Sequence, residues 1–329
     1  MTSIQAFRYG EANFASAMSK LVHSSSTNPI YAPQFGRYYQ ECANSEGSNN
    51  SIVVVHNMIP IVALVFSLDS KKPQKVSYFG LPSQLLVSKN SNESVLDEAL
   101  VLLLQELSLS GVSVNNGKIS NNFRMEIDPT SLSSKRIEKM FFSNTEVELR
   151  FDRILKISSD PEKEYSKSVK HALKKADLNI EIISSETQQN EIASGLSSLK
   201  RLHFQSAGKT TRSEQSWQYQ KEMIQNSDAI LVQGSYQNQI VTSALFMINE
   251  SAAFYAVSAS LANHPNEGLS HLLVDHAIRN LTAAGISEIW LGEQHSDALR
   301  SIPLKEKQIE VFKGFFGGHL QTHLIASTR

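Results

Sequence analysis

The sequence predicts an α/β fold in two halves, each a mixed β-sheet with helices on its faces. Three observations carry this expectation. Apolar runs broken by a short polar turn occur in both halves and read as β-hairpins. Each hairpin region leads into a helical segment that stops at a glycine, Gly111 in the first half and Gly285 in the second. In the second half a strand, a helix and a strand follow one another, which requires a parallel pair joined by a crossover.

Taken in order, SIVVVHNMIPIVALVFS runs apolar around a turn at Asn57 to Pro60 and forms the first hairpin. KVSYFGLP follows as a third strand, and SVLDEALVLLLQELSLSG as a helix. In the second half AILVQGSYQNQIVTSALFMI is again strand, turn and strand, AAFYAVSAS a further strand, and GLSHLLVDHAIRNLTAAG the helix. SEIWLGEQ and FGGHLQTHLIA close the chain as strands. Corresponding elements lie roughly 175 residues apart, a spacing that reads as domain duplication rather than a solenoid repeat. The turn signal at Ser158 to Pro161 places the division near it, giving domains 1–155 and 156–329.

Bulk composition narrows the functional classes. The 329 residues are 41% hydrophobic and 19% charged, enough apolar material for sizeable cores. A formal net charge of −1 exerts no global pull on DNA or a membrane surface, so any phosphate site is local. The single cysteine, Cys42, precludes an intramolecular disulfide and fits a reducing compartment. MTSIQAFRYG has no apolar core of the signal-peptide kind, and the longest apolar stretch is broken by His56, Asn57 and Pro60. The expectation is a cytoplasmic protein without a membrane span. No metal-ligand spacing, Walker loop or serine-nucleophile elbow is present.

EKEYSKSVKHALKKA is basic and amphipathic. On a helix, Tyr165, Val169, Ala172, Leu173 and Ala176 share one face, and Lys163, Lys167, Lys170 and Lys174 the other. The lysines form a solvated face or a phosphate-binding stripe. Downstream, Lys209, Arg212 and Trp217 lie in AGKTTRSEQSW, two cations with an aromatic, a combination suited to a phosphate and a stacked base or sugar.

From YSKSVKHALKKA onward the chain resembles the FemABX family. The resemblance runs through LNIEI, LHFQSAGKTTRSEQSWQYQ, FYAVSAS and IWLGEQ to IEVFKGFFGG. Phe312, Lys313, Phe316 and Gly317 form its most family-specific part. It covers about residues 150 to 325, while the first half matches in element order only. The resemblance implies two tandem GNAT-like domains and transfer of an acyl or aminoacyl group to an amine. It also implies that AAFYAVSAS and SEIWLGEQ splay apart to admit the acyl group, with the pyrophosphate of acyl-coenzyme A at the start of the next helix.

That start reads Pro265, Asn266, Glu267, Gly268, Leu269, Ser270, His271. Gly268, Leu269, Ser270 and His271 are therefore the candidate cofactor-binding residues. Pro265 and the acidic Glu267 do not suit a pyrophosphate, so a donor carried on transfer RNA stays open beside acyl-coenzyme A. His271, in the first helical turn, is expected to be neutral because the helix dipole disfavours positive charge there. Asp275 and Arg279 read as a surface ion pair.

For the chemistry, Glu293 at the end of IWLGEQ and His295 beside it are candidate proton acceptors. Lys313, held among Phe312, Phe315 and Phe316, is the candidate oxyanion stabiliser by resemblance. Lys209, Arg212, Trp217 and Tyr255 are the candidate acceptor contacts. The expected acceptor is a small amine, such as a nucleotide- or lipid-linked amino sugar of envelope or surface-polysaccharide synthesis. Two alternatives remain: an aminoacyltransferase using charged transfer RNA, and a non-catalytic binding module.

Overall fold

The computed structural model describes residues 3–25, 27–69, 75–119, 122–129, 137, 145–158, 160–175, 177–261, 264, 268–295 and 302–327. Its main elements are β1 (Ile4–Arg8), α1 (Phe14–Ser24), α2 (Gly36–Cys42), β2 (Ile52–His56), β3 (Ile59–Val65), β4 (Ser83–Val87), α3 (Glu93–Leu109) and β5 (Asn122–Ile127). There follow β6 (Glu146–Lys156), α4 (Lys167–Lys175), β7 (Asn179–Ile183), α5 (Gln189–Ala207), α6 (Glu214–Gln225), β8 (Ala229–Tyr236), β9 (Gln239–Asn249) and β10 (Ala252–Ser260). The chain ends with α7 (Leu269–Ala283), β11 (Glu288–Gln294), α8 (Leu304–Gly314) and β12 (His319–Ser327). Pro265, Asn266, Glu267 and Ala176 lie outside the described residues. Among the described residues no helix is long and apolar enough to cross a membrane.

The chain divides into two compact units, Met1–Arg150 with Thr322–Arg329, and Phe151–Gln321. This differs from the 155/156 division at both ends. EVELRFDRILK is one continuous strand through the expected boundary. The end of β12 belongs with the first unit because it pairs antiparallel with β5, Arg124 opposite Ser327 and Ile127 opposite Leu324.

In the first unit the strands run β1–β2–β3–β4–β5. The β2–β3 hairpin turns at Asn57 and Met58, with φ of 50° and 64°, the two left-handed residues that match the twist of paired strands. KVSYFGLP does not continue as one strand. Phe79 and Gly80 take φ of 48° and 87°, Tyr78 and Leu81 close the turn, and β4 starts at Ser83. Asn92 caps α3 by accepting from Ser94 N–H at 2.9 Å. The helix buries Leu96, Leu100, Leu103 and Leu107 in a cluster that includes Val54, Val62 and Leu64. The polar exception in this core is Glu126, fully buried, which accepts from Arg150 at 3.1 Å and from the Tyr31 hydroxyl at 3.3 Å.

In the second unit the order is β6–β11–β10–β9–β8–β7. The β8–β9 hairpin repeats the left-handed pair, Gln237 and Asn238 at 48° and 62°. β10 and β11 are parallel and joined through α7, as the strand–helix–strand succession predicts. α7 buries Leu273, Val274, Ala277, Ile278 and Leu281 against this sheet. The basic helix begins later than its periodicity suggests. Residues Pro161–Lys163 form a 3-10 turn, and Ser166 Oγ accepts from Val169 N–H at 3.3 Å where α4 starts. Lys163 therefore lies outside the stripe. Val169 is fully buried, Leu173 and Lys170 are half-buried, and Lys167 and Lys174 are exposed.

Candidate functional site

The parallel pair β10/β11 comes apart. The strands are in register at Ala252–Glu288, Ala253–Ile289 and Phe254–Trp290, and there the pairing ends, although β10 runs to Ser260 and β11 to Gln294. Both strands carry one extra residue beside this point. Against β9 the register skips Ala256, between Tyr255 and Val257, and against β6 it skips Leu291, between Trp290 and Gly292. A bulge bends the strand that bears it. Two bulges, one on each neighbour, account for the parting of a parallel pair. Gly292, at φ 84°, supplies the left-handed residue next to the second bulge.

Past Trp290, α8 meets the main chain of β11. Lys313 Nζ donates to the Glu293 carbonyl at 2.7 Å, and the His295 N–H donates to Glu310 Oε1 at 2.7 Å. Glu306, Glu310 and Lys313 follow at spacings of four and three, so one face of α8 caps the strand end. His295 Nδ1 lies 3.0 Å from Glu293 Oε1, and its Nε2 lies 3.7 Å from Glu306 Oε2. The structure thus brings Lys313, Glu293 and His295 together. Glu310 was not singled out by the sequence, although its spacing from Lys313 put both on one helical face.

The phenylalanines around Lys313 turn the other way. Phe312, Phe315 and Phe316 surround His271, with ring centroids 5.1, 5.9 and 5.8 Å away. Burial lowers the pKa of His271, partly offset by the Gly268 carbonyl. The shift is in the direction that favours the neutral imidazole, and its cause is burial, here among the aromatic rings. Tyr255, beside the β10 bulge, stacks between Phe246 at 5.2 Å and Phe312 at 6.4 Å. Burial pushes its phenol up to about 12, against a smaller opposing effect of Ser258. Tyr165 packs edge-on against Phe316 and donates to Asp275 Oδ1 at 3.0 Å. Asp275 is consequently buried, not a surface partner of Arg279, because Tyr165 covers it while it also accepts from Arg279 at 2.9 Å.

Helix α7 starts at Gly268, in the left-handed region at φ 81° and with no side-chain cap. The leading N–H groups of a helix lack helical partners and can bind anions, although here the His271 N–H already donates to the Gly268 carbonyl at 2.8 Å. Leu269 is buried and has only its backbone to offer. Ser270 Oγ lies 3.0 Å from Ser260 Oγ, itself 2.7 Å from Thr242 Oγ1, so three hydroxyls tie the end of β10 to the helix start. A Cβ at Gly268 would come within 2.5 Å of the Ala172 Cβ, so α4 packs directly on this end of α7.

The third group lies between α5 and α6. Lys209 and Arg212 line a cavity of about 320 Å³ together with Lys200, Arg201, His203 and Phe204. Trp217 contributes to the wall but is 7% exposed and meets His203 edge-on at 5.9 Å. It is not the stacking platform expected from its place beside two cations. Trp217, Gln220 and Ile224 are the inward stripe of α6, and Phe204, 52% exposed, is the aromatic open to a ligand.

A histidine whose pKa is lowered by burial ties stability to pH. The folded pKa of His271 lies below the ordinary value of about 6.5, so below about pH 6.5 the unfolded chain takes the proton first and stability falls with falling pH. His271→Phe is expected to flatten this loss, seen as a smaller drop in the urea midpoint between about pH 7.5 and about pH 5.5. An unchanged drop would place the acid sensitivity elsewhere.

No protein-family model matches the chain, and no curated protein matches it in sequence. Solved structures do. FemX superposes with a TM-score of 0.66 over 97% of this chain and 96% of that one, at 12% identity. A conserved protein of unknown function from Bacteroides thetaiotaomicron VPI-5482 gives 0.63, at 11% identity over 99% and 100%. A tandem GNAT protein from the clavulanic acid biosynthesis pathway gives 0.50, at 10% identity over 99% and 98%. The chain has a tandem GNAT fold of the FemABX type. At these identities the likeness is one of fold. Within that GNAT architecture, the parted pair lies in the second unit. In the first unit β5 stays paired with β4 to its last residue, Ile127 opposite Leu85.

Proposed function

We propose that the chain is an N-acyltransferase whose reaction centre is the gap between β10 and β11. The observation that carries this reading is the parting of the two bulged strands after Phe254 and Trp290, with Lys313 held at its edge. A gap of this kind exposes unpaired strand backbone to an extended acyl arm. The α7 start offers N–H groups to the donor's phosphates. Acyl-coenzyme A fits both features as a substrate, and its acyl group becomes an amide on the acceptor.

In the transfer, the acceptor nitrogen forms a bond to the acyl carbon while the bond to the leaving sulfur or oxygen breaks. The nitrogen must shed a proton, and the His295–Glu293 pair is placed to take it. The carbonyl oxygen gains charge, and the Lys313 ammonium offsets it. An ammonium has three donors, so the bond to the Glu293 carbonyl positions Lys313 without exhausting it. The cations around Lys209 and Arg212 would hold an anionic group of the acceptor, such as the phosphate of a nucleotide- or lipid-linked amino sugar.

One observation favours transfer RNA as the donor's carrier. The α4 lysines stand beside the α7 start because Ala172 packs on Gly268. A thermal-shift screen separates the two. Acyl-coenzyme A species are expected to raise the melting temperature, since a ligand bound to the folded state stabilises it. No response to any acyl-coenzyme A, with steeply salt-dependent protection by an aminoacyl-RNA stem, would replace this donor assignment.

A further inference from the structure

Two contacts from α8 hold the end of β11 by its main chain. Lys313 Nζ donates to the Glu293 carbonyl at 2.7 Å, and Glu310 Oε1 accepts from the His295 N–H at 2.7 Å. In an extended strand the carbonyl of one residue and the N–H of the residue two along open to the same edge, where a neighbouring strand would engage them as a pair. Here an ammonium and a carboxylate from one helical face take the two places. They act where the sheet gives out: pairing with β10 ends at Trp290, and pairing with β6 ends at Gln294, just before His295. Glu310 is buried, where a carboxylate without a hydrogen bond is costly, and the His295 N–H is its donor. The imidazole carried on this backbone has its Nδ1 3.0 Å from Glu293 Oε1 and its Nε2 3.7 Å from Glu306 Oε2, one turn before Glu310.

We infer that Glu310 is a positioning residue: it sets the main chain at His295 and thereby seats the imidazole against Glu293. The inference rests on the proton-accepting role proposed above for the His295–Glu293 pair and adds the residue that holds the pair in place. Glu310 acts through the backbone, so the reach of its acceptor oxygen matters and its charge does not. Glutamine keeps an acceptor oxygen at the same reach, aspartate keeps the charge but falls short, and alanine loses both. A base displaced by about 1 Å costs turnover while substrate binding is untouched.

Two measurements on the full chain test this. Without any donor, ring-nitrogen NMR shifts of isotope-labelled histidines read the seat of His295, assigned with His295→Gln. Glu310→Ala and Glu310→Asp are expected to move the His295 signals toward those of the exposed His319, and Glu310→Gln to leave them in place. If alanine prevents folding, aspartate carries the comparison. Unchanged signals in Glu310→Asp would overturn the positioning role. Equal displacement in Glu310→Gln would assign the effect to charge and overturn it too. With the donor found by thermal shift, steady-state kinetics give the second reading. Glu310→Ala and Glu310→Asp should lower kcat about tenfold with KM within a few-fold, and Glu310→Gln should stay close to the unaltered chain. In a His295→Gln background Glu310→Ala should add little, because the two residues act as a unit. A full further loss in that background would make Glu310 a brace of β11 alone and reject the role. An unaltered kcat in His295→Gln would instead remove the proton-accepting role, while the NMR comparison still decides whether Glu310 seats the ring.

Discussion

Lys313→Ala is expected to lower kcat by about 100- to 1,000-fold and to leave KM within a few-fold, the pattern of a lost oxyanion donor. The structure sharpens why. Lys313 sits on the helical face that caps the unpaired end of β11, and its Nζ is fixed 2.7 Å from the Glu293 carbonyl. A cation placed in advance acts on charge that develops only in the transition state, so its removal shows in turnover rather than binding. Lys313→Arg is expected to rescue little, because a planar fork does not reproduce a compact ammonium at the strand edge. The measurement is steady-state kinetics with the donor found by thermal shift. A rise in KM alone would make Lys313 a ground-state phosphate contact. Unchanged kinetics in a folded variant would leave it as a cap of β11 only.

How far the sequence reaches depends on whether a signal is local. The two hairpins were legible because each is an alternating run around a polar turn, and both turns proved to hold two left-handed residues. KVSYFGLP misled because a strand-like run hides a turn at Phe79 and Gly80, where the glycine was the available signal. Trp217 misled differently. It follows Lys209 and Arg212 in sequence, yet helical periodicity sets it inward with Gln220 and Ile224. Arg153 was out of reach. It bonds Gln294 Oε1 at 2.9 Å and the Gly317 carbonyl at 2.8 Å, partners 141 and 164 residues away that no local pattern connects. The site was therefore legible as residue types on three segments, and its grouping was not. Lys313, Glu293 and His295 converge on one strand end, whereas Lys209 and Arg212 line a separate cavity.

Gly318→Ala is expected to destabilise the chain by about 2–6 kcal/mol, combining a left-handed backbone at about 1–3 kcal/mol with overpacking at about 1–3 kcal/mol. Gly318 has φ 76°, and a Cβ there would lie 2.3 Å from the Ile154 carbonyl oxygen and 2.7 Å from Leu155 Cδ2. The first contact is main chain, which cannot rotate away. Gly285→Ala is the control. Its φ is 84°, but nothing lies within 4 Å of its Cβ position, so only the backbone cost of about 1–3 kcal/mol applies. Urea unfolding of both variants reads the difference. The close approach also concerns function, since Gly317 accepts from Arg153 and the Gly318 N–H donates to Glu164 Oε2 at 3.2 Å, fixing the chain where it leaves α8. If the seating of Lys313 depends on that fixed exit, Gly318→Ala should lower kcat beyond what its folded fraction explains, whereas Gly285→Ala should not. Equal stability losses at the two glycines would mean that β6 yields to a methyl group, and that the position of α8 is set by the phenylalanines around His271 instead.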